Sequence, residues 1–353
     1  MSFRTHRVLF ITPFYMLFEF FLLKYICLLF GGMNDFYLLI LTLFIGLNHF
    51  LPMIFEAKKS RGVTRFLTTL DGVWMWASVM FLIDIVIIYF IGSFITLPIE
   101  VNVILLAVVP ILGIYNYFKA HKIVVKEKLV ELDNLSQEIS IAHLSDIHFG
   151  SVRHKKIIQD VADKLNSIDS DLAIISGDLA DGSSVVFEDD FLAFKEVKMP
   201  IFFTPGNHDF YPGIENVIAA CKNAGIIVLD NQSAVFKNLN IYGLTFSFGD
   251  RTAPELDESS IKKGMLNIIN YHVPYYWEEF SNLGFDIQLS GHTHGGQFYP
   301  VVWFGNLMFK YNKGLFKNEL GKYIHVTTGV GSMDTPMRWG TDSEIVVLKL
   351  KKS

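Results

Sequence analysis

Apolar residues run almost without a break through the first 118 positions, then fall into short groups separated by polar stretches. Four of the early runs, Val8–Phe30, Phe36–Phe55, Val73–Leu97 and Val101–Phe118, come near the ~20 residues that a helix needs to cross a bilayer. The first is too long for a signal peptide, is followed by no small-residue cleavage site, and has three more spans behind it. Glu19, Lys24 and Asp84 lie inside these runs, where ionisable groups are costly. They are expected to pair with each other or to reach towards a headgroup, because little else polar lines a transport path.

From residue 139 the pattern changes. The apolar runs Ile139–Leu144, Leu172–Ile175, Ile201–Phe203, Ile226–Leu229, Ile241–Phe246, Leu266–Tyr271, Phe285–Leu289, Tyr323–Val326 and Ile345–Leu350 read as strands. Helix-period segments lie at about Lys155–Ile168, Phe187–Val197, Ile214–Ala224 and Tyr275–Asn282. The expected organisation is a four-span anchor over 1–118, a charged juxtamembrane linker over 119–138, and an α/β domain over 139–353.

Composition separates these two environments. Mean hydropathy is +0.36 and aromatics make up 14% of the chain, and the excess is concentrated in the spans. Net charge is −5 with no long basic run, so nucleic acid binding is not expected. The two cysteines, Cys27 and Cys221, form no disulfide framework and no C-x-x-C zinc pair. Basic residues are confined to alternate loops: Arg4 and Arg7; Lys58, Lys59, Arg61 and Arg65; Lys119, Lys122, Lys126 and Lys128. The other two loops carry only Asp35 and Glu100. This asymmetry predicts a multi-pass protein of the cell membrane with both termini and the domain in the cytoplasm.

The chemistry is concentrated at strand ends. Asp146-Ile147-His148, Gly177-Asp178, Gly206-Asn207-His208-Asp209, His272 and Gly291-His292-Thr293-His294 each directly follow a predicted strand. The carboxyl ends of strands in α/β sheets gather binding loops on one rim. Two cations about 3.5–4 Å apart need a bridging carboxylate and several N or O ligands around it. Asp178, alone in a glycine-preceded turn, suits the bridge. Mixed imidazole and carboxylate donors without a thiolate suit Mn, Fe, Zn or similar metals rather than calcium. For a single His or Asp an ordinary surface or core role is the better reading; for five clusters together it is not.

This set resembles the calcineurin-like metallophosphoesterase family. DIH (Asp146–His148), GD (Gly177–Asp178), GNHD (Gly206–Asp209), His272 and GHTH (Gly291–His294) occur in family order across roughly residues 139–350. The continuation GHTHGGQ (Gly291–Gln297) and a TTGVGSMDTPMRWG segment resemble a membrane-associated bacterial and archaeal branch. The resemblance implies a two-sheet α/β/β/α sandwich and two divalent ions. Asp146, His148 and His294 would hold one ion, Asn207, His272 and His292 the other, and Asp178 would bridge. His208 would act on the leaving oxygen or the phosphoryl charge, with Asp209 orienting it. The implied reaction is two-metal hydrolysis of a phosphate ester, with diesters or pyrophosphates favoured over monoesters and a lipid-linked substrate favoured by the anchor.

A serine-hydrolase reading lacks a G-x-S-x-G elbow, and a P-loop reading lacks G-x-x-x-x-G-K-[ST]. A catalytically silent regulatory domain and a transporter with an appended domain are the rival classes; the first predicts a broken ligand set, the second more polar spans. Asp181 is open between a substrate or outer-ligand role and a solvated turn, and Arg338 between phosphate binding and a salt bridge. His143 is expected to be structural, and Gly295 and Gly296 to allow close backbone approach. The aromatic stretch Phe298–Phe316, with Lys310 and Lys313, is expected near the site mouth, packed in the core or offered to a membrane or acyl chain. Nothing in the sequence reports oligomeric state.

Overall fold

A computed structural model describes residues 3–56, 58–133, 135, 137–249, 252–256 and 260–352, with the backbone alone for 3–7. The side chains of Arg4 and Arg7, which enter the loop-charge argument, therefore lie outside the described residues. The chain divides into two compact units, Met1–Phe118 with Asp334–Met337, and Lys119–Met333 with Arg338–Ser353.

The first unit contains α1 (Phe3–Leu28), α2 (Asp35–Glu56), α3 (Gly62–Gly92) and all but the last three residues of α4 (Ile99–His121). All four helices are long and apolar enough to cross a membrane. Their outer faces expose Phe10, Phe44, Phe90 and Ile111, which suits hydrocarbon as solvent. Glu19 and Lys24 do not pair with each other. Five residues along a helix rotate by about 140°, so the two side chains leave α1 in different directions. Glu19 instead accepts a hydrogen bond from Trp74 Nε1 at 3.1 Å, and Lys24 pairs with Asp35 at 2.9 Å.

The second unit is a sandwich of two six-stranded sheets. β1 (Ile123–Leu132), β2 (Ile139–Leu144), β3 (Leu172–Ser176), β4 (Ile201–Thr204), β5 (Ile227–Val228) and β12 (Ser343–Lys352) form one sheet, in the order β1-β12-β2-β3-β4-β5. β6 (Gln232–Phe236), β7 (Leu239–Leu244), β8 (Leu266–Tyr271), β9 (Ile287–Ser290), β10 (Gly314–Lys317) and β11 (Tyr323–Val326) form the other, in the order β10-β11-β9-β8-β7-β6. β2 to β5 run parallel, as do β7, β8, β9 and β11, so their carboxyl ends collect within each sheet.

Burial explains why these strands read as near-continuous apolar runs: each sheet is covered on both faces. Ile139, Ile141, Leu172 and Ile174 meet Leu239, Ile241, Ile268, Ile287 and Leu289 between the sheets. On the outer face of the first sheet, α5 (His154–Asn166) buries the stripe Ile157, Ile158, Val161, Ala162 and Leu165, and α6 (Ile214–Asn223) buries Val217, Ala220 and Cys221. On the outer face of the second, α7 (Trp277–Leu283) packs Trp277 and Phe280. The layers are therefore α/β/β/α.

Two sequence expectations change. The segment 119–138 is not simply a linker, because β1 lies within it and pairs in parallel with β12 along its whole length. It is an edge strand whose charged side chains point outward, which hides it in a hydropathy reading. Phe187–Val197 is not an α-helix; only Leu192–Glu196 coils, as a 3₁₀ turn. The Asp190 carboxylate accepts the Phe187 N–H at 2.9 Å, a local side-chain bond that competes with helical turns.

Candidate metal centre

Each expected ligand loop follows a strand of the sandwich. Asp146 and His148 follow β2, Asp178 follows β3, and Asn207 follows β4. From the other sheet, His272 follows β8, while His292 and His294 follow β9. The two sets meet at one edge. His148 Nε2 faces His294 Nε2 at 3.0 Å, and His294 Nε2 lies 3.4 Å from Asp146 Oδ1. Asp178 Oδ2 lies 3.0 Å from His272 Nε2, while His292 Nδ1 lies 3.0 Å from Asn207 Oδ1 and 3.3 Å from His272 Nε2. Among the described residues, three groups have ligand atoms all within 4.8 Å of one another: Asp146, His148 and His294; Asp178, His272 and His292; and His148, Asp178 and His208. Asp178 belongs to two of these groups, so it lies near His148 as well as near His272 and His292.

The backbone is unusual here. Asp146 (φ 51), His148 (φ 52), Asp178 (φ 54), His292 (φ 69) and His294 (φ 50) all adopt the left-handed region. For a non-glycine residue that conformation costs about 1–2 kcal/mol, so the neighbouring structure must impose it. The loop after β11 does part of this: Val330 N–H donates to the Ser145 carbonyl at 3.0 Å and Gly331 N–H to the Asp146 carbonyl at 2.7 Å.

Electrostatically the centre is a buried array of opposite charges. Burial pushes the Asp146 carboxyl up to about 6, against the pull of His272. Burial acts the same way on Asp178, but the His272, His208 and His148 imidazoles outweigh it and hold that carboxyl well below the usual range. His272 rises to about 9 because Asp178 and Asp146 overcome its desolvation. Its Nδ1–H donates to the Ser176 carbonyl at 2.7 Å, which turns Nε2 towards the carboxylates. Desolvation, joined by His272, lowers His292 to about 4.

The donor set fits divalent cations. Two buried carboxylates need compensating charge, and the imidazole nitrogens and the Asn207 amide oxygen point at the same space. Glycines keep that space open. A Cβ at Gly177 would meet His272 Nδ1 at 2.5 Å, and one at Gly329 would meet Asp146 Cβ at 2.7 Å.

His208 lies beside the ligands, half-buried, with its N–H donating to Asp178 Oδ1 at 2.8 Å. Asp209 does not orient its ring. The Asp209 carboxylate accepts the N–H groups of Asp178 and Gly206 at 2.8 Å and of Ala180 at 2.9 Å, so it ties two ligand loops together. Burial followed by Asp178 pushes its carboxyl up to about 7. The His208 ring is oriented instead by the Asp181 carbonyl, which accepts its Nδ1–H at 3.1 Å. The Asp181 carboxylate accepts the N–H and hydroxyl of Ser183, each at 2.6 Å.

Arg338 does not face open solvent and forms no salt bridge among the described residues. It is fully buried and donates to the carbonyls of Gly331 at 2.6 Å, Asp342 at 2.7 Å and Gly329 at 3.2 Å, with Nη2 3.5 Å from His294 Nδ1. It clamps the loop that supports Asp146. His143 is structural as expected: it is buried between the sheets, 2.6 Å from His325 Nδ1 and 2.7 Å from Ser176 Oγ.

A two-sheet sandwich whose strand-end loops gather imidazoles, carboxylates and one amide is the frame of a metallophosphoesterase domain. Residues 139–296 match the model of the calcineurin-like phosphoesterase family, and the chain belongs to that family. An uncharacterized metallophosphoesterase of Helicobacter pylori is 30% identical over 246 residues, which cover 67% of this chain and 66% of that one. A transmembrane protein with metallophosphoesterase domain from Danio rerio is 27% identical over 271 residues, covering 71% and 62%. The matches thus span just under two thirds of these relatives' lengths. Among solved structures, a purple acid phosphatase from yellow lupin seeds aligns at 14% identity and a TM-score of 0.33, over 57% of this chain and 46% of that one.

Proposed function

We propose that the chain is a membrane-anchored, dinuclear-metal hydrolase of phosphate esters, acting at the cytoplasmic face of the cell membrane. The observation that carries this reading is the position of Asp178, whose carboxylate lies within 4.8 Å of a ligand atom of His148 and also of ligand atoms of His272 and His292. Asp146, His148 and His294 would hold one ion, Asn207, His272 and His292 the other, with Asp178 between them. Mn, Fe or Zn ions held there would polarise the phosphoryl oxygens and lower the pKa of water, which is the chemistry in-line displacement needs.

The protein's own groups do the rest. His208, with Nδ1–H committed to the Asp181 carbonyl, presents Nε2 to the site; a proton held there can pass to the leaving oxygen. Asp209 keeps the loops of Asp178 and His208 in register. Phosphodiesters or pyrophosphates of lipid-linked compounds are the favoured substrates, because the four apolar helices hold the domain where such phosphates occur.

The test is hydrolysis of bis-p-nitrophenyl phosphate and p-nitrophenyl phosphate by the detergent-purified full chain, with Mn2+, with chelator, and as His208→Ala. Metal-dependent turnover that disappears in the variant supports the proposal, and the diester-to-monoester ratio narrows the substrate class. Folded, metal-loaded protein inert towards both esters and towards lipid-linked phosphates would overturn it.

A further inference from the structure

The stretch after the GHTH loop contains an eight-residue helix, α8 (Val301–Met308), with no charged residue. Its inner face is fixed to the domain: Val302 and Gly305 are buried, and a Cβ at Gly305 would press on the Asn312 side chain at 3.1 Å. Its outer face is bare. Trp303 is 63% exposed, Phe304 58%, Leu307 83% and Met308 73%. At spacings of one, four and five, these four side chains form a single stripe along the helix.

The stripe continues to the metal centre. Phe309, which ends the helix, places its ring 6.0 Å from the His292 ring and stacks on Tyr275 at 5.9 Å. Tyr275 is itself 46% exposed. Apolar side chains presented on an anchored element beside a ligand loop mark an interaction surface. Trp, Phe, Leu and Met without charge suit the headgroup–acyl boundary of a bilayer. The chain supplies that bilayer, since four of its helices are long and apolar enough to span one.

We propose that α8 is an interfacial docking helix, with Trp303, Phe304, Leu307 and Met308 entering the boundary layer of the membrane that anchors the chain. The partner is the lipid surface itself, and anionic lipid is not required. Lys310 is already paired with Glu278, and Lys313 donates to the Gly340 carbonyl at 3.0 Å, so both flanking cations are committed within the domain. Docking extends the proposed hydrolase function, because it brings the His292 side of the centre to the depth of lipid phosphates.

The experiment uses the full chain in phosphatidylcholine nanodiscs, with and without brominated acyl chains. Subtracting the fluorescence of Trp303→Phe from that of the unmodified chain isolates Trp303 from the other four tryptophans. Brominated lipid is expected to quench the Trp303 signal by about twofold or more, and aqueous iodide to leave it nearly unchanged. Leu307→Asp with Met308→Asp should abolish the lipid quenching while hydrolysis of soluble bis-p-nitrophenyl phosphate stays intact. Quenching by iodide and not by bromolipid would show a water-facing helix; protection from both, with a dimer in solution, would show a second copy covering it. Either result overturns the proposal. Fluorescence reads insertion rather than turnover, so an inactive chain with inserted α8 refutes the hydrolase reading alone, and an active chain with water-facing α8 refutes docking alone.

Discussion

Replacing Gly206 with alanine places a methyl group where the two halves of the metal centre meet. The added Cβ would lie 2.6 Å from Asp178 N and 2.9 Å from His272 Cδ2, with Asp178 Oδ1 closer still. Carbon contacts settle near 3.5 Å, so the imidazole must retreat by about 0.6 Å and the Asp178 backbone by more. Neither has room, because His272 is fully buried and Asp178 nearly so, and His272 is tied to the Ser176 carbonyl. Overpacking of this kind costs about 1–3 kcal/mol. At ~2–4 °C per kcal/mol for a domain of this size, the unfolding midpoint should fall by several degrees. A displacement approaching 1 Å at reacting groups costs on the order of 100-fold in rate.

The assay is kcat and KM on bis-p-nitrophenyl phosphate at saturating Mn2+, with Mn2+ affinity from calorimetry and Tm from thermal unfolding. Gly225→Ala is the control: its φ is 77° and no described residue lies within 4 Å of the added methyl, so it carries backbone strain of about 1–2 kcal/mol without touching the site. Gly206→Ala is expected to lose kcat and Mn2+ affinity, and Gly225→Ala to lose only stability. Unchanged kcat and affinity in Gly206→Ala, or equal losses in both variants, would refute it.

His208→Ala should lower kcat by about 10²–10⁴-fold with Tm and Mn2+ affinity near those of the unmodified chain. Asp209→Ala strands three buried N–H groups and should cost on the order of 3 kcal/mol or more; a variant with unchanged Tm would remove Asp209 from its tying role. Arg338→Lys loses the fork that spans three carbonyls, so Tm and Mn2+ affinity should both fall, and calorimetry giving full affinity would show that the loop holds Asp146 without it. Lys126 bonds Asp342 at 2.7 Å and Glu344 at 2.8 Å. Burial raises both carboxyls, but Lys126 more than offsets it, so both sit below their ordinary values of 3.8 and 4.5. Their contribution is therefore present above those values and lost as pH falls through the lower folded ones. Burial lowers Lys126, and the carboxylates outweigh it and raise the ammonium, whose contribution is full below 10.5 and fades above. With Lys126 and Asp342 partly exposed, the set is worth ~1 kcal/mol or less. The Tm difference between the unmodified chain and Lys126→Met should hold from about pH 5 to 10 and shrink at lower pH; a constant difference down to pH ~3 would assign it to packing of the lysine stem.

The ligand loops were legible because their position follows from a general rule: strands buried on both faces read as apolar runs, and polar clusters at their ends must converge on the sheet rim. Asp146, Asp178, Asn207, His272 and His292 are where that rule puts them. The rule says nothing about contacts to backbone, and this is where reading failed. Asp209 looked like a partner for the histidine beside it, yet its acceptors are used by three N–H groups on two loops, a relation with no side-chain signature. β1 was hidden because four of its ten residues are charged, and α8 because a mostly apolar run looks the same whether it lines a core or faces outward.

What the sequence could carry least is the left-handed backbone at five of the seven candidate ligands. Each costs about 1–2 kcal/mol on its own, so no motif would adopt it in isolation. The conformation persists because other segments determine it several times over. Asp178 is held through its N–H by Asp209, and Asp146 through its carbonyl by Gly331. Gly331 is held in turn by Arg338, which also reaches towards the Nδ1 of His294. Asp146 and Arg338 are 192 positions apart and in different motifs, yet one loop connects their geometry. The metal centre is therefore built by the β11 loop and the buried arginine as much as by the residues that point into it. Variants in that loop should accordingly alter Mn2+ affinity without removing a ligand.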